Sequence, residues 1–241
     1  MKSLTKTILI ILLVILLQSC AFDYYNRLPC FDLFDNTGLY LVHTDMHYTE
    51  GNMDYAILKG NAFAVDGRII TADHVIWQDE QSRVIPTPVG NYYTLSSKPM
   101  DPEHWIILDG QKIKLRLLKR YPESEIAVLI PEKPVPGLTF GLGDSDKLKI
   151  GTKLFALGYP RLTLRNILQG YVAAFSDELD SKEMTRKYHV PNNFMAVNMR
   201  ITTGDSGSPV LAIRDGVPEV IGVITGYSAT MGFMAKINGL K

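Results

Sequence analysis

An all-β architecture is what this sequence predicts, on three observations. Short apolar or alternating runs of strand length recur from Leu39 onward, turn residues separate them, and no long stretch of that region carries apolar positions at helical spacing. Many short strands divided by turns are the pattern of barrels and sandwiches, in which each sheet buries one face.

Six runs form a first unit. Leu39 to His43 opens it. Asn61 to Val65 and Arg68 to Thr71 follow as a hairpin about the Asp66-Gly67 turn, a pair suited to a two-residue connection. Trp105 to Leu108 and Lys112 to Leu118 come next. In the latter, Lys112, Lys114 and Arg116 alternate with Ile113, Leu115 and Leu117, which reads as a solvated outer face over a buried inner one. Ile126 to Ile130 closes the unit, and Pro131 to Pro136 ends it. A second unit follows with Lys153 to Gly158, Gly170 to Phe175, Phe194 to Met199, Pro209 to Ile213, Val220 to Thr225 and Gly232 to Ile237. The expected domains are 39–136 and 137–241. Between strands, Asp177 to Asn193 is charged, rich in turn residues and without alternation.

The chain has 241 residues, of which 46% are hydrophobic, ample for a sizeable core. Its 25 basic and 25 acidic residues cancel, so no electrostatic footprint for nucleic acid is present. No metal or cofactor motif is read. His43 and His47 are four apart but lie in a strand-like segment without further ligand types, and His104 and His189 carry no readable role.

The N-terminus reads as a leader. Lys2 and Lys6 precede a Thr7 to Leu17 run of signal-peptide length, too short for a membrane span. It ends in Leu17-Gln18-Ser19-Cys20, which resembles a bacterial lipoprotein box. The expectation is a signal peptide over 1–19, lipidation of Cys20, a tether over 20–38 and an exported, membrane-anchored domain. Plain secretion or an uncleaved anchor are the alternatives. Cys30 is the one other cysteine, so the core is held by burial rather than disulfides.

Two segments carry chemistry. Gly204-Asp205-Ser206-Gly207-Ser208-Pro209 places a serine between glycines, where a tight turn can expose Oγ and aim the backbone N–H groups of Gly204 and Ser206 at one point. A serine hydroxyl needs a base, and His74, after the strand ending in Thr71-Ala72-Asp73, is a candidate to take and return its proton.

These segments resemble the serine and histidine signatures of trypsin-like serine peptidases. Leu142 to Gly151, Ala156 to Pro160 and Ile221 to Thr225 are similar to the bacterial HtrA-like (Deg) branch. The resemblance covers roughly Tyr55 to Ile237 and implies two six-stranded Greek-key β-barrels with the site in the cleft between them. It also implies protein or peptide substrates and a catalytic His74, Ser206 and acid. The acid falls in Glu125-Ile126-Ala127-Val128-Leu129, where the family usually has Asp; Glu125 is the candidate and Glu123 its competitor on the same strand face. The oxyanion turn is Gly204, Asp205 and Ser206. Asp205 is expected to bond locally, because no activation site is present to free a partner amine.

By the family's spacing the specificity pocket falls at Arg200 to Thr203 and Ile224 to Tyr227, with Arg200, Thr203, Ile224 and Thr225 as its candidate residues and Ile224 favouring small or medium apolar side chains. Asp177 to Asn193 matches loops that rearrange on activation. Only four residues follow Ile237, so no PDZ module is expected. The function implied is an exported serine endopeptidase. The alternative is a catalytically impaired trypsin-fold lipoprotein that binds proteins.

Overall fold

Twelve strands close into two barrels and two more form a separate hairpin in the computed structural model, which describes residues 38–48, 56–77, 81–86, 92–97, 99–162, 165–175 and 194–240. The leader, Cys20, Cys30, His189 and the 177–193 stretch lie outside these residues, as does the side chain of His47. In chain order come β1 (Leu39–Tyr48), β2 (Ala56–Val65), β3 (Arg68–Ala72), a one-turn helix α1 (Asp73–Ile76), β4 (Gln81–Pro86), β5 (Tyr92–Ser97), β6 (Pro99–Leu108), β7 (Gln111–Tyr121) and β8 (Ile126–Pro131). The second half contributes β9 (Lys153–Gly158), β10 (Asn166–Phe175), β11 (Phe194–Val197), β12 (Pro209–Arg214), β13 (Val217–Tyr227) and β14 (Gly232–Lys236).

The barrels share one topology. Neighbours run β1-β2-β3-β8-β7-β6 in the first and, starting from β9, β9-β10-β11-β14-β13-β12 in the second. Numbered one to six within each barrel, both read 1-2-3-6-5-4, a Greek-key order with every pair antiparallel. Closure removes open sheet edges, and alternate residues then face one interior. Val42, Phe63, Ile69, Ile106 and Leu129 are fully buried in the first barrel. Leu154, Val172, Met195, Val210, Ile221 and Met234 form the interior of the second.

All twelve strands read from the sequence are present. Several run further than their apolar pattern: β1 continues to Tyr48, and β6 begins at Pro99, where polar and proline residues hide the alternation. The β4–β5 hairpin was not legible, since Gln81-Ser82-Arg83 and Pro86 give no two-residue apolar period. The basic residues of β7 do face out: Lys112, Lys114 and Arg116 are exposed while Ile113 and Leu115 are buried.

The connection between barrels is pinned. Tyr40 Oη donates to the Pro136 carbonyl at 2.7 Å, and the Leu138 N–H donates to Ala64 O at 2.7 Å. Further on, Leu142 pairs with Val220 of β13. Ser145 is fully buried; its Oγ donates to Ile221 O at 2.6 Å and accepts from the Ile237 N–H at 3.1 Å. The Gly143-Asp144-Ser145 segment is therefore a structural tie between the linker, β13 and the C-terminal turn.

One buried titratable group makes the first barrel acid-sensitive. His104 of β6 is 3% exposed and bonds through Nδ1 to Thr44 Oγ1 at 2.9 Å. Burial pushes its pKa down to about 4 from 6.5. The unfolded chain therefore binds the proton first, and stability present above pH 6.5 is lost as pH falls toward 4, by about 3 kcal/mol in total. Urea unfolding of wild type and His104→Gln across that range should show a shallower pH slope for the variant. Equal slopes would contradict this origin.

Candidate active site

The histidine turn is built on a buried ion pair. β3 ends at Ala72, and α1 carries His74 out of the barrel wall. The preceding Asp73 is 4% exposed, a position a carboxylate tolerates only when paired. Arg120 of β7 pairs with it through two bonds, Nε to Oδ1 at 2.7 Å and NH2 to Oδ2 at 2.6 Å. The guanidinium lies 4.5 Å over the Trp77 ring. This planar, two-pronged contact fixes the backbone of the turn on which His74 stands.

Glu125 grips the same turn twice. Its carbonyl accepts from the Asp73 N–H at 3.0 Å, and its Oε2 lies 2.9 Å from His74 Nδ1 and 3.4 Å from the His74 N–H. A carboxylate on Nδ1 selects the tautomer with hydrogen there, leaving Nε2 as the basic nitrogen. The His74 side chain is 41% exposed and that of Glu125 is 20% exposed, so the imidazole is open on its far side while its anchor is screened. Glu125 is not a strand residue. It follows the 3-10 turn Pro122–Ser124 with φ +53° and ψ +35°, a left-handed conformation costing roughly 1 kcal/mol for a residue with a Cβ. The longer glutamate side chain reaches the ring from that turn. Glu123 is exposed within the 3-10 turn rather than on a strand face, and the carboxylate that pairs with His74 is that of Glu125.

The serine turn docks against the first barrel. Ser206 O accepts from the Asn61 N–H at 2.7 Å, and Gly204 O accepts from Asn61 Nδ2 at 2.6 Å. Asn61 Oδ1 in turn accepts from the Tyr159 N–H at 2.9 Å. Two glycines make this approach possible. Gly207 has φ +85°, and a Cβ there would collide with Asn61 O. At Gly60 a Cβ would meet both Val75, the neighbour of His74, and Ser206 O, so the His74 and Ser206 turns converge on one gap in β2. The Ser206 hydroxyl and the His74 ring are not hydrogen-bonded in this structure. Such contacts are commonly long without substrate and tighten in the complex.

The amides of Gly204 and Ser206 have no hydrogen-bond partner among the described residues. Thr203 O accepts from the Arg161 N–H at 3.1 Å, and a trans peptide directs the Gly204 N–H the opposite way. Asp205 departs from the expectation for the oxyanion turn: its N–H donates to Thr202 O at 3.1 Å and is already spent. Its carboxylate bonds locally, with Oδ2 accepting from the Thr202 N–H at 2.8 Å and from Thr202 Oγ1 at 3.3 Å. Burial raises the Asp205 pKa, opposed by those bonds. The Ser208 hydroxyl lies where Gly158 leaves room and is buried there without a hydrogen-bond partner among the described residues.

The specificity positions are corrected in one respect. Ile224 is fully buried within the second barrel's core and offers a substrate no surface. Its main chain pairs with Gly207 and Ser208, and a bulge between Ile224 and Gly226 separates it from the open part of β13. Arg200 is exposed. Thr225 is half-buried, with Oγ1 donating to Phe233 O at 3.5 Å. Thr203 is exposed and bonds to Tyr227 Oη at 2.9 Å. β13 pairs with β12 only as far as Val223 but with β14 to Tyr227, so Thr225 to Tyr227 present a strand edge beside Ser206.

Comparison with known proteins gives the family of the chain. A model of the trypsin-like peptidase domain matches residues 59–223, more than half of the chain. The chain belongs to the trypsin-like peptidase family. Among curated relatives, a probable periplasmic serine endoprotease DegP-like of Chlamydia muridarum is 28% identical over 180 residues, 73% of this chain and 29% of that protein. Its counterpart in Ectopseudomonas mendocina is 30% identical over 178 residues, 73% of this chain and 31% of that protein. The chain thus spans about a third of the length of these relatives. Among solved structures, the active form of the Rv3671c protease from M. tuberculosis aligns with a TM-score of 0.53 at 17% identity, covering 82% of this chain and 76% of that one. The HtrA-type protease AlgW with a tripeptide gives 0.53 at 20%, covering 82% and 56%. These two likenesses support the fold.

Two groups that build this candidate site were not read from the sequence: Asn61 and the Asp73–Arg120 pair. A polar Asn61 at the head of the apolar Ala62-Phe63-Ala64-Val65 run was the available cue. Asn61→Ala removes both clamp bonds and leaves Gly204 O and the Tyr159 N–H unpaired. It should destabilise the fold by about 2 kcal/mol, read by denaturant midpoint, since each orphaned buried group costs roughly 1–3 kcal/mol. An unchanged midpoint would remove Asn61 from this role.

Proposed function

We propose that this protein is an exported serine endopeptidase that cleaves peptide bonds through an acyl-enzyme. The observation that carries the reading is the 2.9 Å bond from Glu125 to His74 Nδ1, which orients an otherwise open imidazole beside a serine turn with two unengaged amides. A peptide laid along the free edge of β13 presents its carbonyl to Ser206. His74 Nε2 takes the Ser206 proton as Oγ attacks the carbonyl carbon. Glu125 stabilises the imidazolium that forms, and the Gly204 and Ser206 amides receive the oxyanion. Collapse expels the amine, which leaves with the proton from His74, and water then hydrolyses the ester by the same steps reversed.

Proteins or peptides are the proposed substrates, consistent with the serine-endoprotease names of the curated relatives. Their periplasmic designation agrees with the leader in favouring export, and the proposed lipid anchor rests on Cys20 of the sequence alone. The second reading, a binding module with impaired chemistry, draws on the absent Ser206–His74 hydrogen bond.

Hydrolysis of an unfolded protein such as casein separates the two. Ser206→Ala should lower turnover roughly 10⁶-fold, and Glu125→Gln, which favours the wrong imidazole tautomer, about 10⁴-fold. Turnover equal to wild type in Ser206→Ala would reject the peptidase reading. For the anchor, Cys20→Ala should move the protein from the membrane to the soluble fraction after export; retention in the membrane would reject lipidation at Cys20.

A further inference from the structure

Two chain segments flank the approach to Ser206, and their side chains join across it. Immediately after the serine the segments are zipped together. The Gly207 N–H donates to Ile224 O at 2.8 Å, and the Ile224 N–H donates to Ser208 O at 2.9 Å. Before the serine they diverge, with no main-chain bond between residues 200–205 and residues 225–227. The gap is the slot into which an acyl-side side chain must drop when a peptide lies on the β13 edge with its carbonyl at Ser206. Its floor is shallow. Gly232, opposite Tyr227 in the β13–β14 pair, is covered by Ile201, whose Cδ1 would collide with any Cβ placed there. Ile201 is 7% exposed and belongs to the second barrel's core, so it has no freedom to withdraw.

At the outer end Thr203 Oγ1 and Tyr227 Oη lie 2.9 Å apart, and both residues are exposed. No side chain passes between two hydrogen-bonded oxygens. We propose that the Thr203–Tyr227 bond is a bar across the specificity slot, which together with the Ile201 floor restricts the residue at the scissile carbonyl to small side chains. The inference rests on the peptidase reading. It replaces the expectation drawn from Ile224 with residues that face the substrate.

Peptides differing only at that residue (Ala, Leu or Phe) test it, using the full chain and its Tyr227→Phe, Thr203→Val and Tyr227→Gly variants. Wild type should favour Ala over Leu and Phe in kcat/KM by about 100-fold, within the range that side-chain size alone supports. Deleting the bond while keeping the bulk, in Tyr227→Phe and Thr203→Val, should raise the Leu-to-Ala ratio about fivefold. Tyr227→Gly should raise it further and admit Phe. Labelling of Ser206 by a small fluorophosphonate, which has no side chain to fit, reports that the nucleophile remains competent. If Tyr227→Gly fails to label, the Phe and Val variants decide. Ratios unchanged in labelled variants, or a wild type that cuts after Leu or Phe as readily as after Ala, overturn the bar and leave the peptidase reading standing. A wild type that neither labels nor cleaves overturns both.

Discussion

Asn61 holds the two barrels in register, and the geometry of the site follows from that contact. Each barrel closes on itself and buries its own interior, so neither needs the other for its sheet bonds. What ties the serine turn to the first barrel is a small set of directed bonds. The Asn61 N–H and side-chain amide hold the carbonyls of Ser206 and Gly204, and its Oδ1 holds the turn after β9. Hydrogen bonds are directional where apolar contact is not, so one residue can set a position that packing alone would leave loose. The glycines at 60 and 207 follow from the same demand, since either with a side chain would force the barrels apart.

On the opposite wall the constraint is electrostatic. Asp73 is buried, and its pairing with Arg120 is the condition for the helix turn to stand where it does. Glu125 then adopts a left-handed backbone that an unconstrained chain would avoid, held by its bonds to Pro122, Asp73 and His74. Local strain of this kind is sustained by surrounding contacts, and here it aims a carboxylate at an imidazole. The glutamate and the left-handed turn form one arrangement: the extra methylene spans the distance from a residue set outside the strand.

The strands were legible because a closed barrel with one buried interior imposes alternation on each of them, as in Lys112 to Leu117. The β4–β5 hairpin belongs to neither barrel and carries no such imprint. His74 and Ser206 stood out because their turns are local in sequence. Asn61 did not, for its partner Gly204 lies 143 residues away, and a polar residue at the head of an apolar run does not say what it pairs with. Arg120 and Asp73 are 47 apart and escaped for the same reason. The error at Ile224 has a definite source: the family's spacing marks a position in the chain but not the way its side chain points, and here it faces the barrel interior. Spacing also placed Asp205 among the oxyanion donors, although its amide closes the turn instead.

In the proposed mechanism a base on the first barrel makes a hydroxyl on the second reactive. The rate at which a fluorophosphonate modifies Ser206, mapped by mass spectrometry in wild type and in His74→Ala, tests it most directly. Modification confined to Ser206, and slowed about 10⁴-fold or more in the variant, is expected. Equal rates in the two proteins, or modification at a different serine, would contradict it.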